Sequence, residues 1–208
     1  STLRCSTSHY IKMPSAYPNI LFPTTCVLGD KCPSCVGWIN SKGERERYNK
    51  GAGLLIFNRY YGKTNQIMVG LENDGDYRGM WNLPAGRHKG NECVGVTALR
   101  EGTEETSKDF SNAKILGFFW SRGPHRGSVI VYIKVVGLSR DPLNKELKRR
   151  NNDPNCPLDL KEMSRVGWFN LDTSEVMDEP NAKISSFVGD IINQWKRHEW
   201  MKNRLIKA

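Results

Sequence analysis

Three glutamates spaced for one turn of helix constrain this sequence more than any other feature. Glu101, Glu104 and Glu105 are related by i, i+3 and i+4, so a helix would place their side chains on one face. Carboxylates packed this closely repel one another, which raises their pKa values. A divalent cation would neutralise them, and hard carboxylate oxygens suit Mg²⁺ or Mn²⁺. The segment therefore predicts a metal-binding helix over about residues 94–106.

The same carboxylates could instead form a solvated acidic helix face, with Arg100 as an ordinary ion-pair partner. Residues upstream of the helix favour the metal site. Gly86 and Gly90 suit a loop that turns sharply and approaches closely, and seven residues separate Glu92 from Arg100. A metal held there could bridge phosphate oxygens and lower the pKa of a bound water. Hydrolysis of a pyrophosphate bond requires these properties.

The segment resembles the Nudix box, G-x5-E-x7-R-E-U-x-E-E-x-G-U, in which U is a bulky aliphatic residue. The positions that match the spacings of the box are Gly86, Glu92, Arg100, Glu101, Glu104 and Glu105. The preceding Trp81-Asn-Leu-Pro84 also resembles the W-x-x-P lead-in of the family. The box covers about a tenth of the chain, and the strand order around it is similar to the Nudix α/β/α sandwich over roughly residues 51–200.

The resemblance implies a metal-dependent hydrolase that cleaves a pyrophosphate linkage in a nucleoside-diphosphate compound. It implies that Glu101 and Glu105 are the chief ligands of Mg²⁺ or Mn²⁺. Glu104 would share metal contact with a salt bridge to Arg100. The carbonyl oxygen of Gly86 would be another ligand.

Two further glutamates are assigned by the same resemblance. Glu92 would brace the loop against the helix. Family members usually take another carboxylate from outside the box, and Glu162 resembles a glutamate that recurs shortly before a tryptophan-bearing strand. Glu162 could be a ligand, a base or a plain surface residue.

Three positions depart from the box. Gly102 replaces a large aliphatic residue, Ser107 replaces the glycine that ends the helix, and Lys108 replaces the last aliphatic residue. Glycine costs about 1 kcal/mol of helix propensity relative to alanine. A left-handed cap would be strained at Ser107, so the helix is expected to end differently.

The remaining pattern predicts an α/β fold with an N-terminal extension. Residues 1–50 are proline-bearing and irregular, and residues 51–208 form the predicted hydrolase domain. Apolar and β-branched segments predict strands at residues 52–57, 66–72, 114–120, 128–136 and 165–169. Apolar spacing from Ile184 to Trp195 predicts an amphipathic C-terminal helix that packs on the sheet. Strands interleaved with two helices predict a layered α/β domain, which the resemblance specifies as an α/β/α sandwich with a mixed sheet. Residues 138–160 are expected to form a long excursion from the core.

The net charge of +9 favours a phosphate-rich partner, because a basic surface attracts polyanions. Lys145, Lys148, Arg149 and Arg150 could form a solvated face or part of an RNA track towards the metal site. No run of about 18 apolar residues occurs, so no membrane span is expected.

Six cysteines are distributed unevenly, with four of them in the first 35 residues. A small secreted domain would distribute its disulfides more evenly. We therefore expect a reducing intracellular compartment, such as the cytoplasm.

The clustered cysteines suggest a structural zinc site in the extension. Cys26, Cys32 and Cys35 include a Cys-x2-Cys motif, and Cys5 or His9 could complete a tetrahedral set of ligands. Zinc would explain how a weakly apolar extension stays folded. Free thiols or a disulfide are the alternatives. The other two cysteines, Cys93 and Cys156, are expected to be ordinary packing or surface residues.

Two loops carry candidate substrate-binding residues. In the loop between the strands at 114–120 and 128–136, cations could grip phosphates and an aromatic ring could stack on a base. These residues are Arg122, His125, Arg126 and Trp120. The alternative is a surface hairpin with buried aromatic residues. His88 and Lys89 lie in the box loop, where they could also meet a phosphate.

The favoured substrate is 5′-capped RNA, which suits the basic charge, so the expected reaction is decapping. Dinucleotides, nucleotide sugars, ADP-ribose or damaged nucleoside triphosphates fit the box equally well. A non-catalytic module that binds nucleotide or RNA through the same fold is a third interpretation, although the retained glutamates argue against it.

Overall fold

The apolar run at residues 52–57 forms the centre of a sheet that is buried on both faces. In the computed structural model, Leu54 and Ile56 join one core and Leu55 and Phe57 join another, and all four side chains are fully buried. Successive side chains of a strand alternate between the two faces of a sheet. A continuous apolar run therefore suits a strand that is covered on both sides. The structure describes residues 10–12, 21–23, 26–46, 51–60, 63–90, 92–121, 128–197, 199 and 202–203.

Within these ranges the chain forms strands and three α-helices. The strands are β1 (Tyr10–Lys12), β2 (Leu21–Pro23), β3 (Trp38–Ile39), β4 (Arg45–Glu46), β5 (Gly51–Tyr60), β6 (Lys63–Glu72), β7 (Trp81–Asn82), β8 (Ala85–Arg87), β9 (Ile115–Trp120), β10 (Val129–Val136), β11 (Met163–Asn170) and β12 (Glu175–Val176). The helices are α1 (Val94–Thr106), α2 (Arg140–Asn152) and α3 (Ser186–Arg197). Single 3₁₀ turns occur at Gly29–Lys31, Gly75–Tyr77 and Leu158–Leu160.

The main sheet is mixed. Its strand order is β12-β11-β6-β5-β10-β9, with β7 paired to β6 and β8 paired to β5. Strands β5 and β10 are parallel, whereas the other pairs in this sheet are antiparallel. Strands β1 and β2, and likewise β3 and β4, form separate antiparallel pairs.

Helices cover both faces of this sheet. Helix α1 contributes Val96 and Leu99 to the core that contains Leu54. Helix α3 contributes Phe187 and Ile191 to the core on the opposite face. The arrangement is an α/β/α sandwich around a mixed sheet, so the predicted fold class is confirmed.

Most of the predicted elements are present, with one clear error. The five predicted strands correspond to β5, β6, β9, β10 and β11, and the two predicted helices correspond to α1 and α3. The prediction that residues 138–160 leave the core was wrong, because residues 140–152 form α2, which packs against β11. Only Leu143 and Leu147 supply its apolar face, and this pair at i, i+4 is too weak a periodic signal to predict a helix.

The end of α1 also differs from the prediction. Ser107 does adopt the left-handed conformation, with φ of 63°, and caps the helix by donating its N–H to the Thr103 carbonyl oxygen at 3.2 Å. Its hydroxyl donates to the carbonyl oxygen of Leu143 at 3.2 Å. This contact with α2 helps to offset the backbone strain of a non-glycine residue there.

Part of the N-terminal segment is built into the main core. Phe22 and Cys32 are fully buried in the same cluster as Val96 of α1. The boundary at residue 50 stays a prediction. Among the described residues, no helix is both long and apolar enough to cross a membrane.

Candidate active site

Helix α1 brings its three glutamates together below the surface. Glu101, Glu104 and Glu105 are 7%, 1% and 3% exposed. Burial raises the pKa of Glu101 to about 7, although Arg100 acts in the opposite direction. Burial raises the pKa of Glu105 well above its ordinary value, and repulsion from the carboxylate of Glu101 adds to the effect. A cation bound beside these carboxyl groups would favour their ionised form.

Arg100 is the fixed cation at the centre of this cluster. It is 1% exposed, and its Nη1 lies 2.7 Å from Oε1 of Glu101 and 2.7 Å from Oε2 of Glu104. Its Nη2 donates to the backbone carbonyl oxygen of Arg87 at 2.9 Å. Arg100 therefore orients two carboxylates and holds the preceding loop at the same time.

Glu92 completes the support of Arg100 from the loop side. Its Oε1 accepts a bond from Nε of Arg100 at 2.7 Å, and its Oε2 accepts one from Nη2 at 3.0 Å. The same Oε2 accepts bonds from the Thr97 hydroxyl at 3.0 Å and from the Lys89 N–H at 3.1 Å. Two-point pairing of arginine with a carboxylate is both strong and directional. Glu92 thus lies where it can brace the loop against α1.

The backbone of β8 passes directly over the carboxylates. A Cβ placed on Gly86 would lie 2.6 Å from Oε2 of Glu101, closer than atoms normally approach. The N–H of Ala85 donates to Oε2 of Glu105 at 3.2 Å. A larger residue at position 86 would therefore displace the carboxylate of Glu101, which is the end of a flexible side chain.

Two carboxylates from the sheet extend the cluster. Burial raises the pKa of Glu72, at the end of β6, to about 7, and its Oε1 accepts a bond from Nδ2 of Asn82 at 2.9 Å. The more exposed Glu162 is close enough to share a hydrogen bond with Glu105, and desolvation raises its pKa. Glu72 was not among the predicted site residues, and the available signal was an acidic residue directly after the apolar run at residues 67–71.

A cleft of about 1290 Å³ borders Glu72 and Glu162, whereas the three glutamates of α1 are not among its lining residues. Its walls also include Gly86 of β8, together with Tyr77 and Arg78 from the segment after β6. This volume exceeds the range of about 300–1,000 Å³ that is common for small-molecule pockets. The cleft can therefore accommodate an elongated ligand beside the carboxylates.

The candidate substrate-binding residues lie in different surroundings. His88 lines the cleft. The half-exposed Lys89 places Nζ 3.5 Å from Oε1 of Glu104 and 3.6 Å from Oδ2 of Asp159. Trp120 is half-buried against the core on the α1 side, and it does not line the described part of the cleft. The remaining candidates, Arg122, His125 and Arg126, fall outside the described residues.

The basic residues of α2 do not form one continuous exposed face. Arg150 is 1% exposed, and its Nη1 donates to the backbone carbonyl oxygen of Glu104 at 2.8 Å. Burial lowers its pKa to about 10. Arg149 is exposed and pairs with Glu146 at 2.7 Å. The expectation that Arg150 belongs to a solvated face or an RNA track was wrong, because this side chain ties α2 to α1.

Four cysteines converge behind the start of α1. The Sγ atoms of Cys26, Cys32, Cys35 and Cys93 all lie within 4.8 Å of one another. Cys93 is buried in the core that contains Leu54, as expected of a packing residue, and its Sγ also joins this cluster. Cys5 and His9, predicted as the completing ligands, lie outside the described residues.

Comparison with known proteins identifies the fold. No family model matches the sequence, and no curated protein matches it significantly. Among solved structures, the Nudix hydrolase RenU from M. smegmatis superposes with a TM-score of 0.51 at 16% identity, over 79% of this chain and 92% of RenU. The chain therefore has the Nudix hydrolase fold.

Other solved structures of this fold resemble the chain more distantly. The NUDIX domain of Shewanella oneidensis NrtR, solved with ADP ribose, gives a TM-score of 0.44 at 17% identity, over 76% of this chain and 91% of that domain. A C. elegans Ap4A hydrolase gives 0.45 at 15% identity, over 74% of this chain and 98% of the hydrolase.

Proposed function

We propose that this Nudix-fold chain is a hydrolase that cleaves a pyrophosphate linkage in a nucleoside-diphosphate compound, with Mg²⁺ or Mn²⁺ held by the glutamates of α1. The observation that carries the proposal is the cluster of buried carboxyl groups beside the cleft. The pKa values of Glu72, Glu101 and Glu105 are all raised, and burial is the largest cause for each. Purely structural burial of several carboxylates would be unfavourable unless cations compensated them.

The chemistry of the donor groups suits a divalent ion. Glu101, Glu104 and Glu105 supply hard oxygen donors on one face of a helix. The buried Oε1 of Glu104 accepts no hydrogen bond from the described residues, and Lys89 Nζ lies 3.5 Å from it. Arg100 and Lys89 are the cations that pair with the α1 glutamates in the described structure. The cluster therefore retains spare negative charge for a metal.

The surrounding residues would prepare the reaction by fixing positions. A bound Mg²⁺ or Mn²⁺ would neutralise phosphate oxygens and make water more acidic. Arg100 holds Glu101 and Glu104 in fixed orientations, and Glu92 holds Arg100. Preorganised groups avoid the cost of rearrangement during the reaction. Glu162 lies in the cleft wall beside Glu105, where it suits either of its two predicted active roles, ligand or base.

Capped RNA is the favoured substrate and smaller nucleotides are the alternative. The net charge of +9 favours a polyanion. The large cleft also contains an aromatic ring, Tyr77, and a cation, Arg78, which suit a base and a phosphate. RNA binding should weaken steeply with added salt, because each phosphate contact releases counterions. A small nucleotide makes fewer phosphate contacts and should show a shallower dependence.

The experiment is a hydrolysis screen with Mg²⁺ or Mn²⁺, in which capped RNA is compared with ADP-ribose, dinucleotides, nucleotide sugars and nucleoside triphosphates. Products are identified by mass spectrometry. We expect metal-dependent turnover that Glu105→Gln lowers by at least about 100-fold, similar to the loss of a key charge-stabilising group. Glu175→Gln is the matched control, because Glu175 is exposed on β12. Ligand binding without turnover on any diphosphate would show instead a non-catalytic binding module.

A second variant separates the two roles of Glu162. Glu162→Gln should lower metal affinity if the carboxylate is a ligand. If it is a base, the variant should keep metal affinity and lose the low-pH limb of the pH profile of kcat, because a base acts only when it is deprotonated. If metal affinity and the pH profile of kcat are both unchanged, Glu162 is a surface residue with no part in the reaction.

A further inference from the structure

The cysteine cluster joins two distant parts of the chain. Cys26, Cys32 and Cys35 belong to the N-terminal segment, whereas Cys93 is the residue that immediately precedes α1. Cys32 and Cys93 are 0% and 3% exposed, and the other two are half-buried. Four thiols meet at one point, although packing alone gives no reason for all four to be cysteine.

The separation of the sulfur atoms suits a metal better than disulfides. All four Sγ atoms lie within 4.8 Å of one another. A tetrahedral zinc ion with Zn–S bonds of about 2.3 Å would place its sulfurs about 3.8 Å apart, so only a small contraction is needed. A disulfide links two sulfurs at about 2.05 Å and would leave the convergence of four unexplained.

The local backbone holds the cysteines in position. Val36 donates its N–H to the Cys32 carbonyl oxygen at 2.9 Å, which closes the turn that carries Cys32 and Cys35. Cys32 donates its own N–H to the carbonyl oxygen of Gly29 at 3.1 Å. Regular structure between residues 26 and 46 is limited to one 3₁₀ turn and a pair of two-residue strands. A segment with so little regular structure needs another source of stability, and a structural metal supplies one.

We propose that Cys26, Cys32, Cys35 and Cys93 bind one zinc ion, which fastens the N-terminal segment to the start of α1. Further contacts at the same point support this role. The hydroxyl of Ser34 accepts a bond from the N–H of Val94 at 3.3 Å, which satisfies one free donor of the helix terminus.

Side-chain packing makes the same junction tight. A Cβ on Gly95 would lie 2.5 Å from Cγ2 of Val27 and 3.0 Å from Cγ of Leu28, so the first turn of α1 touches the cysteine segment directly. The residue before Cys93 is Glu92, which pairs with Arg100. The zinc ion would therefore fix the backbone at the end of the loop that supports the acidic cluster. The metal assignment itself does not depend on the hydrolase proposal.

The test begins with metal analysis of the full chain, purified under reducing conditions without a histidine tag. We expect one zinc ion per chain in the wild type and its loss in Cys93→Ser. Cys156→Ser is the matched control, because Cys156 is half-buried and outside the cluster, and it should retain the zinc. Absence of zinc from the wild type, together with failure of the reduced, metal-free chain to bind added zinc, would overturn the proposal. Full zinc retention in Cys93→Ser, or iron in place of zinc, would overturn it equally.

A second measurement uses the wild type, so it stays informative if Cys93→Ser does not fold. Replacement of zinc by Co²⁺ should give visible bands typical of tetrahedral coordination, with thiolate charge-transfer intensity that corresponds to four sulfurs. Intensity for only three sulfurs would overturn the four-cysteine site. Removal of the metal by a chelator should also speed amide hydrogen exchange at residues 94–97 relative to the middle of α3. Unchanged exchange there would contradict the fastening role.

Discussion

Replacement of Gly86 by alanine tests whether the position of the α1 carboxylates controls the reaction. The added Cβ would lie 2.6 Å from Oε2 of Glu101, whereas ordinary contacts begin at 3.4 Å. The carboxylate must therefore move by about 1 Å, and a displacement of that size in a reacting group can cost about 100-fold in rate. Gly86 has an ordinary backbone conformation, and the clash is with the end of one side chain. The fold should therefore survive while kcat falls by about two orders of magnitude.

The assay is kcat on the substrate that the screen identifies, with Mn²⁺ affinity measured in parallel by electron paramagnetic resonance. Gly189→Ala is the matched control, because an added Cβ at this position in α3 meets no atom within 4 Å. That variant should retain wild-type kcat and Mn²⁺ affinity. If Gly86→Ala also retains both, Glu101 does not act where we place it, and the argument from close packing is refuted.

Three further predictions concern stability. Arg100→Met should lower the free energy of unfolding, measured by urea titration, by about 3–5 kcal/mol, because it leaves buried carboxylates without their cation. A change within experimental error would contradict the role of Arg100 in the buried network. The pKa values of Glu72 and Glu101 are raised to about 7 in the folded protein, so the folded state binds more protons than the unfolded state above about pH 4.3. The metal-free protein should therefore lose stability as pH rises from about 5 to about 8, and Mn²⁺ should restore it; a Tm that rises over this range would refute the sign. Gly102→Ala should lower Tm, because the added Cβ would overpack against Leu54. Overpacking costs about 1–3 kcal/mol, which we expect to outweigh the gain in helix propensity of about 1 kcal/mol. A higher Tm would show that the core relaxes around the methyl group.

The sequence predicted the layers of the fold well because their signals are local. Strand β5 is a continuous apolar run, and α3 repeats apolar residues at helical spacing, so each could be identified from its own residues. Helix α2 could not, because its two buried leucines lie among charged residues and depend on β11 for their burial. The short strands β7 and β8 likewise depend on pairing with β6 and β5.

The candidate site likewise combines residues with a local sequence signal and residues that only the fold brings together. The spacing of Glu101, Glu104 and Glu105 placed them on one helix face, as the structure has them. Glu72 joins them only because β6 ends beside α1 in three dimensions, which no local pattern encodes. The approach of Cys93 to Cys35 depends on the fold in the same way, since 57 intervening residues separate them. Residue spacing identifies side chains that meet on one helix or strand. Side chains from different elements can be matched only when the fold is known.

The burial of Phe22 and Cys32 beside α1 affects how this protein can be shortened. A chain that begins at residue 51 would expose the apolar flank of α1 to water and remove the hydroxyl that Ser34 offers to Val94. Burial of a single large apolar side chain contributes about 1.5–3 kcal/mol, a substantial part of the net stability of an ordinary domain. The first fifty residues should therefore be kept whenever the domain that contains the main sheet is expressed for study.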